Sequence, residues 1–168
     1  MFCLLIASLY NLDLDKTLKS ISEFEPLEHR MEYVGEYEGI KFYNDSIATI
    51  PEATINAINA LKDVDTLIFG GMDRNIEYSE FIKFLNNSNI NHFICNPTTG
   101  YKIAESLDQS KVVKAETLEE AVKFAFMLTE KGKICLLSPA ASSYEFFKNF
   151  EEKGSKYKEL IRTHKTQD

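Results

Sequence analysis

The sequence predicts an α/β chain of Rossmann-like, three-layer type, with a mostly parallel sheet, an antiparallel edge hairpin, and helices on both faces. Three observations predict it. The runs DTLIFGG, NHFICN and KICLL are apolar throughout instead of alternating, as strands covered on both sides are. Amphipathic segments of helical length separate them, and strand–helix alternation produces parallel neighbours. The stretch MEYVGEYEGIKFYND places Glu38-Gly39 between two strand-like runs, a hairpin signal.

Residues 2–10 are apolar and helical in character. NLDLDKTLKSISEF follows as a helix, with Leu14, Leu18 and Ile21 on one face, Asp13 as N-cap and Pro26 as its stop. After the hairpin, ATIPEATINAINALK is helical, its Pro51 tolerated in the first turn. Strand DTLIFGG, helix YSEFIKFLNN, strand NHFICN, helix TGYKIAESL and the short strand KVVKA come next. TLEEAVKFAFMLTE is a helix opened by Thr117 and Glu120 as a capping box. After KICLLSP, SYEFFKNFEEKGSKYKELIRT reads as a final helix or helix pair interrupted near Gly154. There is no internal repeat or low-complexity tract.

The 168 residues suffice for one domain with a substantial core, and 44% hydrophobic content is that of a globular chain. A net charge of −7 argues against a nucleic-acid partner, which would be repelled at long range. Cys3, Cys95 and Cys135 each lie in an apolar run and fit neither a disulfide framework nor a metal site, so all three are expected to be buried free thiols in a reducing cytosol. No apolar stretch approaches the roughly 20 residues of a membrane span. MFCLLIASLY lacks the basic start and cleavage site of a signal peptide. His29, at the domain entrance, reads as structural or exposed, and neither His92 nor His164 has a metal-ligand partner at useful spacing.

Ligands of such sheets bind beyond the C-terminal strand ends, and three loops there have unusual composition. In NDSIATIP, Ser46 or Thr49 could be a helix cap and nothing more, but Asn44, Asp45, Ser46 and Thr49 together favour a ligand loop. In GGMDRN the glycines allow close backbone approach without forming a dinucleotide fingerprint. Arg74 there is either a carboxylate fork or a solvated turn residue. In SPAASSYEFFKNF, Ser138, Ser142 and Ser143 lie before a helix, where they could cap it or bind an anion. Phe146 and Phe147 read as core. No acid–base pair and no serine triad is visible.

The runs PLEHR (26–30), YNDSIATIPEAT (43–54), GGMDR (70–74) and LLSPAASSYEFFKNFEEKG (136–154), in this order and spacing, resemble the Mur ligase family. The closest likeness is to its branch that adds D-glutamate to UDP-N-acetylmuramoyl-L-alanine in peptidoglycan synthesis. The last run is the most specific, and the resemblance covers nearly the whole chain. It implies a cytoplasmic ATP- and magnesium-dependent ligase that activates a carboxylate as an acyl phosphate, which the glutamate amine then attacks. It also implies three domains, with ATP held in the central one by a G-x-x-x-x-G-K-[ST] loop. No such loop occurs here. Residues 1–25 are therefore expected to be the helical end of the ATP-binding domain and residues 26–168 the amino-acid-binding domain, inactive alone.

By the same resemblance, Thr49, Arg74, Ser143 and the Phe150 backbone N–H would hold the glutamate carboxylates. Arg30, Asn44 and Asp45 would reach toward the nucleotide, and no residue is expected to bind metal. Two positions depart from the commoner pattern: Ile47 and Arg74 stand where lysines are usual. They leave D- against L-glutamate open. A stand-alone anion-binding module and a folate polyglutamate ligase are the rival readings, and SPAASSYEFFKNF argues against the latter.

Overall fold

The computed structural model describes residues 2–24 and 26–164; Met1, Glu25 at the expected domain boundary, and residues 165–168 lie outside the described residues. Two short helices come first, α1 (Phe2–Leu9) and α2 (Leu14–Ser22), packed on each other. The Asp13 carboxylate caps α2 by accepting from Lys16 N at 2.9 Å. This hairpin leaves Phe2, Leu5, Ile6, Leu9, Leu18 and Ile21 exposed.

The remaining elements are β1 (Glu32–Tyr37), β2 (Ile40–Asn44), α3 (Pro51–Leu61), β3 (Val64–Gly71), α4 (Ser79–Asn86), β4 (His92–Thr98), α5 (Thr99–Ala104), β5 (Val112–Lys114), α6 (Leu118–Leu128), β6 (Ile134–Leu137) and α7 (Phe150–Thr163). The six strands form one sheet in the order β1-β2-β6-β3-β4-β5. Only β1 runs antiparallel to its neighbour; β2, β6, β3, β4 and β5 are parallel. The hairpin turns at Glu38 (φ 53°) and Gly39 (φ 82°), the left-handed pair that a tight two-residue turn needs.

Strand pleating sends alternate side chains into two cores. Leu67 and Phe69 of β3 and Phe93 and Cys95 of β4 pack with Phe81 and Leu85 of α4 and Ile103 of α5. Ile68, Ile94 and Cys135 pack on the other face with Val122 and Ala125 of α6 and Tyr157 and Ile161 of α7. The three layers expected from the sequence are thus present. From β3 the chain builds outward through β4 to β5, then α6 crosses the other face and returns to β6 beside β3. The reversal point lies between β3 and β6, and the crevice beyond their C-terminal ends is where such sheets bind ligands.

Four expectations are corrected. Gly154 does not interrupt a helix: α7 is continuous from Phe150 to Thr163, and its start is fixed at Asn149, whose side chain accepts from Glu152 N at 2.9 Å. Residues 143–149 form turns instead of a first helix, because Phe146 N and Phe147 N both donate to Ser143 O and no ladder continues. Phe146 is 55% exposed, while Phe147 packs against the α6–α7 core as expected. Cys3 is exposed, since α1 turns it away from any core; Cys95 and Cys135 are buried.

Candidate functional site

The three strand-end loops converge at the β3–β6 crevice. Gly70 N donates to Pro139 O at 2.9 Å, and Met72 N donates to Ser142 O at 2.9 Å as part of an isolated antiparallel bridge. These bonds lace the loop after β3 to the loop after β6. Gly71 (φ 149°) has to be glycine here, because a Cβ on it would strike Ser142 O.

The loop after β2 is tied to the same place. Ser138 Oγ donates to Asp45 Oδ2 at 2.8 Å and lies 2.8 Å from Thr54 Oγ1. Asp45 N donates to Leu137 O, and Met31 N donates to Asp45 Oδ1 at 3.1 Å. Burial pushes the Asp45 carboxyl above the usual aspartate range, against the lowering effect of these donors and of Arg30. A pocket of about 390 Å³ is lined by Arg30, Asp45, Ile47, Thr49 and Asn56 among others, so the structure brings together Arg30, Asp45 and Thr49. Ile47 lies in the same wall. Arg30 is exposed at the mouth.

Asn44 is fully buried and engaged inside the protein. Its Nδ2 donates to Glu32 Oε2 at 3.0 Å and lies 3.0 Å from His29 Nδ1, and its Oδ1 accepts from Ser46 N at 3.2 Å. It shapes the loop from beneath. Glu32 also accepts from His29 N, and its other oxygen accepts from Lys158 Nζ at 2.9 Å. Lys158 reaches Glu28 as well, at 2.8 Å. A polar relay therefore runs from α7 through β1 to the loop after β2.

The capping readings fail at two of the loops. Helix α3 begins at Ile50 and Pro51 with no side-chain cap, so Ser46 and Thr49 are not spent on it. Helix α7 is capped by Asn149, so Ser142 and Ser143 are not spent either. Ser143 Oγ is buried without a hydrogen-bond partner, as is Ser46 Oγ. Buried hydroxyls are nearly always paired, and Ser143 sits in the crevice loop where an anion would meet it. Phe150 opens α7, where the first N–H groups have no intrahelical acceptor. Arg74 is exposed beyond the β3 end, next to an Asp73 already paired with Lys102 at 3.2 Å.

Sequence reasoning missed the parts played by Gly154 and Lys153. A Cβ on Gly154 would collide with His29 Nδ1 and Ser46 Oγ and come within 2.9 Å of Asn44 Nδ2. The glycine that resembled a break is where α7 presses on the loop. Lys153 is 3% exposed and donates to Gly70 O at 3.0 Å, beneath the glycine pair. Nothing in the local sequence, flanked by Glu151 and Glu152, marks it as buried.

Known proteins resemble this chain in sequence and in fold. The family described as "Mur ligase, glutamate ligase domain" matches residues 29–141. A protein of Caldanaerobacter subterraneus subsp. tengcongensis named UDP-N-acetylmuramoylalanine--D-glutamate ligase is 40% identical over 161 residues, covering 93% of this chain and 36% of that protein. One of the same name from Borreliella burgdorferi is 35% identical over 156 residues, covering 90% and 34%. The chain thus spans about a third of the length of these curated relatives. Among solved structures, UDP-N-acetylmuramate-alanine ligase MurC from Thermotoga maritima superposes with TM-score 0.65 at 16% identity, over 96% of this chain and 36% of that one. MurF ligase from the same organism, in complex with ADP, superposes with TM-score 0.64 at 18% identity, over 95% and 36%. On the match over residues 29–141, together with the fold and the crevice that carries the four sequence runs, the chain belongs to the Mur ligase family as a glutamate ligase domain.

Proposed function

We propose that this chain is the glutamate-binding part of a cytoplasmic, ATP-dependent ligase that joins D-glutamate to UDP-N-acetylmuramoyl-L-alanine through an acyl phosphate. The observation that carries the reading is the buried, unpartnered Ser143 hydroxyl in the β3–β6 crevice. It lies on the loop bonded to the one that carries Arg74. The names of the relatives support the same substrate class.

In this reading Arg74, Thr49, Ser143 and the Phe150 N–H hold the two carboxylates, leaving the amine to face the activated carbonyl. Fixing that geometry is the domain's catalytic contribution. ATP and magnesium supply the phosphoryl group and neutralise its charge when bound. Of this chain's residues, the exposed Arg30 suits an approach to the nucleotide, while Asn44 and Asp45 hold the loop beside it. Residues 1–25 serve as the helical end of the ATP-binding domain and residues 26–168 as the amino-acid domain. The exposed apolar side chains of α1 and α2 support that division.

The test is calorimetry and amide-shift titration of the chain with D-glutamate, with L-glutamate as the second arm. D-glutamate is expected to give saturable shifts at Thr49, Ser143 and Phe150. Arg74→Ala is expected to weaken binding about tenfold, the loss of one charge-assisted contact. Unchanged affinity in both Arg74→Ala and Ser143→Ala would sink this assignment, and preferential binding of L-glutamate would reassign the handedness.

A further inference from the structure

Residues 28–32 turn tightly ahead of the sheet, and Arg30 stands exposed in the middle of that turn. The backbone on either side of it is left-handed, at His29 (φ 64°) and Met31 (φ 42°). Neither is glycine, and other residues keep such angles only where their surroundings over-determine them. Here His29 N donates to Glu32 Oε2 at 2.9 Å, Arg30 N to Leu27 O at 3.2 Å and Met31 N to Asp45 Oδ1 at 3.1 Å. Lys158 Nζ closes the turn from α7, donating to Glu28 Oε1 at 2.8 Å and to Glu32 Oε1 at 2.9 Å. The two carboxylates flank Arg30, so one ammonium holds both ends of the turn.

Stability alone does not account for the Glu28 arm. The Glu28 side chain is 73% exposed, and an ion pair to an exposed carboxylate stabilises a fold little. The same contact fixes residue 28, immediately before the left-handed positions. Helix α7 meets the turn at three successive levels. The Phe150 ring packs edge-on against the His29 ring, with centroids 6.1 Å apart. Gly154 lets the helix approach so closely that a Cβ would collide with His29 and Ser46. Lys158 holds Glu28 and Glu32. Each of these residues is one helical turn beyond the last, on one face of α7.

We propose that Lys158 is a positioning residue: by bridging Glu28 and Glu32 it seats Arg30 on α7, so that the nucleotide-facing side chain and the Phe150 N–H of the glutamate cleft move as one body. This role rests on the ligase reading of Arg30. Losing the bridge loosens the nucleotide end and leaves the glutamate end, fixed by the Asn149 cap, in place.

Backbone nitrogen relaxation of the chain and steady-state kinetics of the whole ligase test it. In Lys158→Met the order parameters of Arg30 and Met31 are expected to fall from about 0.85 to below about 0.6, while those of Ile68 and Ile94 in the sheet hold. A loss of global stability alone would leave these folded-state values unmoved. In the whole ligase the same substitution should raise the KM for ATP about tenfold, the loss of one charge-assisted contact, with the KM for glutamate unchanged. Glu28→Gln alters only an exposed side chain, should move both readouts in the same direction, and covers the case in which Lys158→Met fails to fold. Lys158→Arg, which can reach both carboxylates, should restore both. Unmoved order parameters in Glu28→Gln, or a KM for glutamate that rises in step with that for ATP, would overturn the proposal. Arg30→Ala separates the two readings. A KM for ATP raised in Arg30→Ala but in neither Lys158→Met nor Glu28→Gln overturns the positioning role alone, whereas an unchanged KM in Arg30→Ala overturns the nucleotide reading beneath it.

Discussion

Lys153 and Lys158 lie on one helix, both nearly buried, and their surroundings drive their acidities apart. Burial alone pulls Lys153 down to about 8 from 10.5. Burial acts on Lys158 too, but the hydrogen bonds it donates to Glu28 and Glu32 outweigh it and raise its value. Between about 8 and 10.5 the unfolded chain binds the proton that folded Lys153 has lost, so this residue makes stability rise with pH. Denaturant titrations across that window should therefore diverge between the native chain and Lys153→Met, by up to about 1.4 kcal/mol per pH unit. Lys158 has the opposite sign: its contribution is present below 10.5 and lost as pH climbs through its higher folded value. Lys158→Met is expected to cost about 2 kcal/mol near neutral pH. Asp45, raised by burial, lowers stability as pH rises past 3.8. Asp45→Asn should accordingly gain on the native chain in acid-to-neutral melts, an outcome that a purely stabilising Asp45 would reverse. Neither lysine's burial was legible in the sequence, because depth in a helix–loop contact depends on a partner far along the chain. Ser143 was legible as a helix cap or an anion ligand; the cap is Asn149, and the Ser143 hydroxyl is buried without a partner.

At the scale of elements, strands and helices followed from local pattern wherever one face was apolar, and failed where a long-range contact overrode it. The helix α6 begins at Thr117 as its capping pattern requires, with Glu120 N donating to Thr117 Oγ1 at 3.2 Å. The reciprocal bond goes one residue early, from Glu116 N to Glu120 Oε2 at 2.8 Å. Gly154 is the instructive failure. In isolation, replacing a mid-helix glycine by alanine stabilises by about 1 kcal/mol. Here the added methyl meets His29, Asn44 and Ser46, and overpacking of this kind costs about 1–3 kcal/mol. Gly154→Ala should therefore lower the melting temperature despite its better helix propensity. A rise in melting temperature would show that the loop yields freely to the helix.

For the molecule as a whole, the layer order and the position of the crevice could be read from continuous apolar strands, while the strand order could not. Nothing local states that β6 inserts between β2 and β3; that follows from α6 returning across the sheet. The helical hairpin is the other whole-molecule feature. Its exposed leucines, isoleucines and Phe2 exceed what a solvated face needs. In the proposed division of labour this face meets the nucleotide-binding domain. The chain alone is then expected to release no phosphate from ATP with UDP-N-acetylmuramoyl-L-alanine, magnesium and D-glutamate, whereas any catalytic release would contradict that division.

The unequal accessibility of the thiols supplies a handle on that question. Cys95 and Cys135 are buried, and desolvation pushes both up to about 12, far from the reactive thiolate. Cys3 stands exposed on the apolar hairpin. A maleimide dye should therefore mark a single position without any engineering, on the one surface whose covering is in question. The rate at which that label is taken up becomes a clock for docking: fast on the bare hairpin, slowed in proportion to the time another domain spends upon it.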